Sequence, residues 1–205
     1  MNTRDQVVQF LKSHRSIDAV NFKFRTYKIW PDAYRKNVAN ALARGDIKIG
    51  SAVNDNAAAT YRQDQDRLEI SPTANFASTK DLGLILHECT HAIIDMGAIG
   101  VHSGHEDEAV AYLAEAFFLI RADGAKDVPE VPVPLSANAA NGEGIRQEAK
   151  RIALKALRNN MYCIEEKDGA NLVLLIAEHP HYYKMTRYPS NRFHRNLFYN
   201  FLRNI

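Results

Sequence analysis

The 205-residue sequence predicts an α+β fold in which a small, mostly antiparallel sheet packs against one active helix, with further helices toward the C-terminus. Three observations predict it. Ala59-Thr60-Tyr61-Arg62 and Arg67-Leu68-Glu69-Ile70-Ser71 flank the polar run Gln63-Asp64-Gln65-Asp66, which reads as a hairpin at the edge of a sheet. Ser78 and Asp81 then form a capping box ahead of an apolar-periodic stretch that stops at Gly97. Most of the remaining periodic segments repeat at helical, not strand, spacing.

In chain order, Thr3 with Gln6 suggests a capped helix to about His14, with Val7, Val8, Phe10 and Leu11 apolar. Residues 18–29 alternate at Val20, Phe22 and Phe24 and suit one strand. Pro31 opens a helix through Tyr34, Val38, Ala41 and Leu42 that Gly45 ends. Ile47 and Ile49 suggest a short strand, and Asn54-Asp55-Asn56 a turn. After the helix ending at Gly97, another begins near Glu106 and ends by Gly124. Its first turn carries Glu106, Asp107 and Glu108, which suits the positive end of the helix dipole. Pro129, Pro132 and Pro134 mark an extended loop over 124–144. Helices are expected at 145–159, 170–178 and 191–204. The whole reads as a single domain, 1–205. Its parts are an N-terminal region of helices and sheet (1–77), the active-site helices (78–124) and a C-terminal helical region (145–205).

Bulk properties exclude several function classes. The formal net charge is +2, which argues against a nucleic-acid surface. No apolar run is long enough to span a bilayer, and no membrane partner is expected. Two cysteines, Cys89 and Cys163, do not make a disulfide scaffold. The polar start shows no signal peptide, so the default expectation is cytoplasmic. Secretion by a signal-independent route would leave no mark.

The chemistry lies in His87-Glu88-Cys89-Thr90-His91. Positions i and i+4 share one helix face, about 5–6 Å apart at Cβ. Two imidazoles so placed can reach one tetrahedral zinc (Zn²⁺) at about 2.0–2.1 Å. Glu88 sits roughly 100° around the helix from His87, outside that coordination sphere but within reach of a water, as a general base should be. Cys89 is roughly 200° from His87 and is expected in the core. A third ligand is expected on the next helix, where Glu108 is the candidate and Glu106 its competitor.

The run His-Glu-Cys-Thr-His-Ala-Ile-Ile-Asp, residues 87–95, together with Glu108-Ala109, resembles the active helices of the gluzincins, the thermolysin-like branch of the zincin metallopeptidases. The resemblance covers about residues 57–120. It implies a zincin-like fold, zinc held by His87, His91 and Glu108, Glu88 as the base, and a peptide or protein substrate. Tyr112 stands where the family carries an aspartate behind the metal ligands. The compact size is also similar to small bacterial zincin effector and toxin domains. An inhibitor or immunity partner of the kind such domains can have is announced by no residue pattern here.

Other polar residues have two readings each. Asp95 is either a support for His91, four residues before it, or a solvated helix-end carboxylate. His102 and His105 read as surface-loop histidines. The cluster His179, His181, Tyr182, Tyr183 offers a donor for an oxyanion, with His181 and Tyr183 the candidates. The basic C-terminus (Lys184, Arg187, Arg192, Arg195, Arg203) reads as a solvated face. The expected function is zinc-dependent peptide hydrolysis. Its rivals are a zincin-like binding or effector module, acting on a protein or nucleic acid through the basic aromatic C-terminus, and a metal-dependent hydrolase of a non-peptide amide.

Overall fold

A computed structural model of the chain describes residues 1–52, 58–97, 101–124, 128–135, 142–182 and 187–189. Among them the fold is α+β and mainly helical, with six α-helices and three small sheets. No helix among the described residues is long and apolar enough to cross a membrane.

Helix α1 (Thr3–Ser13) buries Val7, Phe10 and Leu11. Its cap is Asn2, whose side chain accepts the Asp5 N–H at 2.9 Å, one residue earlier than the expected Thr3–Gln6 box. The single strand expected over 18–29 is instead a 3₁₀ turn (Arg15–Ala19) followed by an antiparallel hairpin of β1 (Phe22–Phe24) and β2 (Tyr27–Ile29). The turn hides in the sequence because Arg25, not glycine or asparagine, takes the left-handed conformation, at a φ of 53°. Phe22, Phe24, Tyr27 and Ile29 all face the core. Residues Ala33–Val38 form a π-helical segment that runs into α2 (Ala39–Arg44), closed by Gly45 at a φ of 82°.

The main sheet holds β3 (Lys48–Ser51), β4 (Ala59–Arg62) and β5 (Arg67–Ile70) in the order β3-β5-β4. The hairpin forms as expected, and β4 lies at the sheet edge. The sheet is not mostly antiparallel, however. β5 inserts between β3 and β4, antiparallel to β4 but parallel to β3, so the sheet is mixed. Inserting the returning hairpin strand in the middle buries Leu68 and Ile70.

Helix α3 (Thr79–Gly97) begins at Ser78, whose hydroxyl accepts the Asp81 N–H at 3.3 Å. Asp81 does not return the bond to Ser78. Its carboxylate accepts the Asn75 N–H at 2.8 Å and draws the incoming loop onto the helix start. The short β6 (Val101–Ser103) pairs antiparallel with β7 (Arg187–Pro189). Helix α4 (Gly104–Asp123) follows, then α5 (Glu143–Arg158) and α6 (Glu166–Ala177). The last starts four residues before the expected boundary. The helix expected at 191–204 and the turn at 54–56 lie outside the described residues.

Helix α4 is the axis of the core. Every residue from Glu108 to Phe118 is buried, and α3, α5 and α6 all pack on it. Phe117 stacks on Phe22 with ring centroids 5.1 Å apart, and Phe118 meets Phe10 edge-on at 5.6 Å. Burying aromatics of this size is worth about 1.5–3 kcal/mol each, so the N-terminal hairpin and α1 are fastened to the helix that carries Glu108. Gly83 lets α3 and α4 approach closely, since a Cβ there would lie 3.0 Å from the Leu119 side chain.

Candidate metal centre

The α3–α4 seam brings three candidates together. His87 and His91 project one turn apart from α3, and Glu108 faces them from the first turns of α4. The His87 Nε2 lies 3.4 Å from Glu108 Oε2, and His91 Nε2 lies 3.5 Å from Glu108 Oε1. All three ligand atoms lie within 4.8 Å of one another, and they are the one group among the described residues arranged to hold a metal ion. A tetrahedron with bonds of about 2.0–2.1 Å has edges of about 3.4 Å, so both measured separations suit two donors on one small cation.

Burial and charge make the same point. His87 and Glu108 are buried, and His91 is partly so. Burial works against a protonated His87, but its bonds to Glu108 and Glu115 and the nearby Glu88 charge outweigh that, so its pKa is raised well above the ordinary imidazole range. Burial likewise works against an ionised Glu108. His91, His87 and His181 overcome it and hold the carboxyl below its usual value. A nest that stabilises positive charge at its centre fits a cation in that place, and the donor set of two nitrogens and one carboxylate oxygen suits a borderline metal.

Glu106, the competitor for third ligand, is committed elsewhere. Its carboxylate pairs with Arg25, which also binds Glu166 at 2.6 Å. Tyr27 donates to Asp107 at 2.6 Å. The β1–β2 hairpin thereby grips the first turn of α4 through the two acids beside Glu108 and leaves Glu108 turned toward the histidines.

Glu88 lies outside the metal group. Its carboxylate accepts the backbone N–H of Tyr61, on edge strand β4, at 2.7 Å. Burial raises its pKa, with His91, His87 and the Tyr61 N–H opposing. Cys89 is fully buried in the core, as the helix arithmetic predicts, and burial pushes its thiol above the usual range. Asp95 is not a solvated helix end. It is buried and accepts Tyr61 Oη at 3.0 Å and Gln63 Nε2 at 2.8 Å, tying the end of α3 to the hairpin.

One functional candidate escaped the sequence. Glu115 accepts from His87 Nδ1 at 3.2 Å and is 4% exposed. This bond fixes the proton on Nδ1 and turns Nε2 toward Glu108. The carboxylate behind His87 thus comes from Glu115, about one turn beyond Tyr112. The signal was available, since Glu115 is seven residues, about two turns, after Glu108 and shares its face. Tyr112 packs edge-on to the His87 ring, 4.7 Å between centroids.

The turn after α6 reaches the same neighbourhood. Tyr112 and Tyr182 hydroxyls lie 2.8 Å apart, and burial, Glu108 and Tyr112 raise the Tyr182 pKa. His105 is not a loop residue. It lies in the first turn of α4 and donates from Nε2 to the Tyr182 carbonyl at 3.0 Å. His181 is exposed. His179 is buried, and its Nδ1 accepts the His181 N–H at 3.2 Å. Tyr183, the His102 side chain and the basic C-terminal side chains lie outside the described residues.

No family model matches the chain, and neither a curated protein nor a solved structure matches it.

Proposed function

We propose that the chain is a zincin-like, zinc-dependent peptidase with His87, His91 and Glu108 as the metal ligands and Glu88 as the general base. The observation that carries this reading is the division of labour on α3. Two imidazoles converge with Glu108, while the intervening carboxylate stands apart and faces the edge of the sheet.

Zinc held by these three groups would supply a Lewis acid that polarises a carbonyl and lowers the pKa of water. The chain's own residues do the rest. Glu88 takes the proton from the attacking water and delivers it to the leaving amine. Its burial, which raises the carboxyl pKa, suits a group that must hold that proton in transit. Tyr61 N–H orients the Glu88 carboxylate from β4. β4 is the edge of its sheet, and an extended peptide can add to a sheet edge, which makes peptides the favoured substrate class. Glu115 holds the His87 tautomer, and Arg25 and Tyr27 steady the start of α4. His181, exposed on the turn after α6, is the donor proposed for the developing oxyanion, and Tyr182, whose hydroxyl meets that of Tyr112, is a second. Tyr183 stays a candidate on sequence alone.

The test is Glu88→Gln, which keeps shape and removes the basic carboxylate. Zinc content and circular dichroism should be unchanged, with turnover of a broad peptide library down at least about a hundredfold. Equal cleavage by both forms would remove Glu88 as base. Zinc-loaded wild type that cleaves no peptide would favour a binding module.

A further inference from the structure

The outer face of the main sheet carries a row of cations. Strand register sets Lys48 of β3 beside Arg67 of β5, and Arg67 beside Arg62 of β4. Cross-strand partners share a face, and Arg67 alternates with the buried Leu68, so the row lies on the side away from the core. Neighbouring strands are about 4.8 Å apart, so the Cα atoms of the three cations fall within about 10 Å. Like charges placed opposite one another destabilise a sheet. Lys48 is nevertheless exposed here beside two arginine side chains that are 51% and 40% exposed, Arg62 and Arg67.

One carboxylate serves the row. Glu69, the next residue on that face of β5, lies 3.3 Å from Arg62 Nε and, through its other oxygen, 4.0 Å from Arg67. Among the described residues no other carboxylate comes within 4.0 Å of Lys48, Arg62 or Arg67. Three cations against one carboxylate leave an excess of two. Gly50 keeps Arg67 on the sheet: a Cβ there would lie 2.8 Å from Arg67 Cδ, so the glycine lets that side chain lie flat across β3. The row ends at Arg62 on edge strand β4. A segment running along that edge sets one side chain opposite Arg62 and, by the pleat, its neighbour opposite Tyr61, whose N–H donates to Glu88. A carboxylate opposite Arg62 supplies the charge that the row lacks. A phosphate backbone is disfavoured, because the chain's net charge of +2 gives it no broad attracting field.

We propose that the row of Lys48, Arg67 and Arg62 selects an acidic, extended segment lying along β4, with an aspartate or glutamate opposite Arg62. This rests on the peptidase reading for its placement beside Glu88, and it names acidic peptides as the substrates. The recognition step stands on charge and strand register, so its test reads binding, and a failure to bind is distinct from a failure to cleave.

The probe is a fluorescein-labelled peptide, Thr-Glu-Val-Glu-Thr-Glu-Val, whose glutamates share one face when extended. It is titrated with the full chain carrying Glu88→Gln, so that cleavage does not consume it. Anisotropy at about 0.01 M salt should give a Kd below about 1 mM, and about 1 M salt should abolish binding. The glutamine analogue of the peptide and an oligothymidylate of equal length should each bind at least tenfold more weakly, and the lysine analogue more weakly still. Adding Lys48→Gln and Arg62→Gln should leave circular dichroism and zinc content unchanged and weaken the glutamate peptide at least tenfold. Adding Arg62→Glu instead should reverse the order, with the lysine analogue bound more tightly than the glutamate peptide. The proposal is overturned if the glutamate peptide does not bind, if the glutamine analogue or the oligothymidylate matches it, if the folded Lys48→Gln/Arg62→Gln protein binds it unchanged, or if Arg62→Glu leaves the preference as it was.

Discussion

Two clusters of buried charge among the described residues are balanced differently. Between α5 and α6, Arg151 makes a two-point contact with Glu148 at 2.8 and 2.9 Å and reaches Asp168 at 2.6 Å, while Lys155 bonds Asp168 at 2.9 Å. The remaining Glu148 lone pairs take Asn171 and the Val133 N–H, both at 3.0 Å. The two buried carboxylates thus meet two cations, Lys155 being shared with Glu165 at 3.0 Å, and the set is complete without a ligand. Between α3 and α4, Glu88, Glu108 and Glu115 surround two imidazoles, and among the described residues the one guanidinium or ammonium paired to them is Arg146, at 3.9 Å. Buried charges persist only when paired or bound to an ion. The first cluster is a structural joint that also fastens the 128–135 segment through Val133. The second is short of positive charge at its centre, where a cation fits.

Removing one partner from the complete cluster should have the largest effect. Arg151→Met strands Glu148, which is fully buried, and Asp168, so unfolding free energy from urea titration should fall by about 3–5 kcal/mol. A loss within error would mean that the joint is not holding α5 to α6.

Next comes the metal itself. Zinc at a free concentration a hundred times its Kd should stabilise the wild type by about 2.7 kcal/mol, read as a rise in Tm that a chelator reverses. Arg151→Met, whose nest is intact, should gain as much as wild type. Glu108→Ala should gain little, and Glu106→Ala should behave as wild type. Equal gains in both glutamate variants would place the third ligand elsewhere.

Support behind a ligand should matter less than the ligand. Glu115→Gln retains the shape but weakens the bond to His87 Nδ1, and zinc affinity by chelator competition should fall about tenfold, the lower end for such partners. No change would show that Tyr112 packing alone orients His87.

The smallest effect concerns acid. Burial works to raise the Asp168 pKa, but bonds from Arg151 and Lys155 prevail and lower it. A carboxylate depressed in the folded state contributes stability that is present above its unfolded pKa, about 3.9, and is lost as pH falls through the folded value. In metal-free protein, Asp168→Asn should therefore flatten the decline in urea midpoint between about pH 5 and 2. An unchanged slope would assign the acid sensitivity to other groups.

How much of this was readable in advance differs between the two clusters for a physical reason. His87, Glu88 and His91 lie on one helix, where a spacing of four fixes a shared face and a spacing of one fixes a different face. Helix boundaries at Ser78, Gly45 and Gly124 were legible because side-chain capping and closure by a glycine of positive φ are local chemistry. The Arg25 turn was not, since the residue there carries none of the usual turn signals.

The α5–α6 joint could not be read at all. Glu148, Arg151 and Asp168 look like ordinary helix-surface charges until two helices close on them, and only Glu148 and Arg151 have a diagnostic spacing. The choice of Glu108 over Glu106 was likewise completed by a distant partner, Arg25, 81 residues away. Strand order followed the same rule, because β5 could pair on either side of β4 or β3 and the core decided which.

The sequence by itself determined the α+β class, the helix that carries His87, Glu88 and His91, the inward turn of Cys89 and the hairpin before them. Each depends on periodicity or capping within a few residues. Tertiary structure alone decided which glutamate faces the histidines, that Glu115 stands behind His87, that Asp95 is tied to Tyr61 and Gln63, and where charge is balanced or left short. Those are contacts between elements far apart in the chain, fixed by how helices and strands pack and not by any local preference.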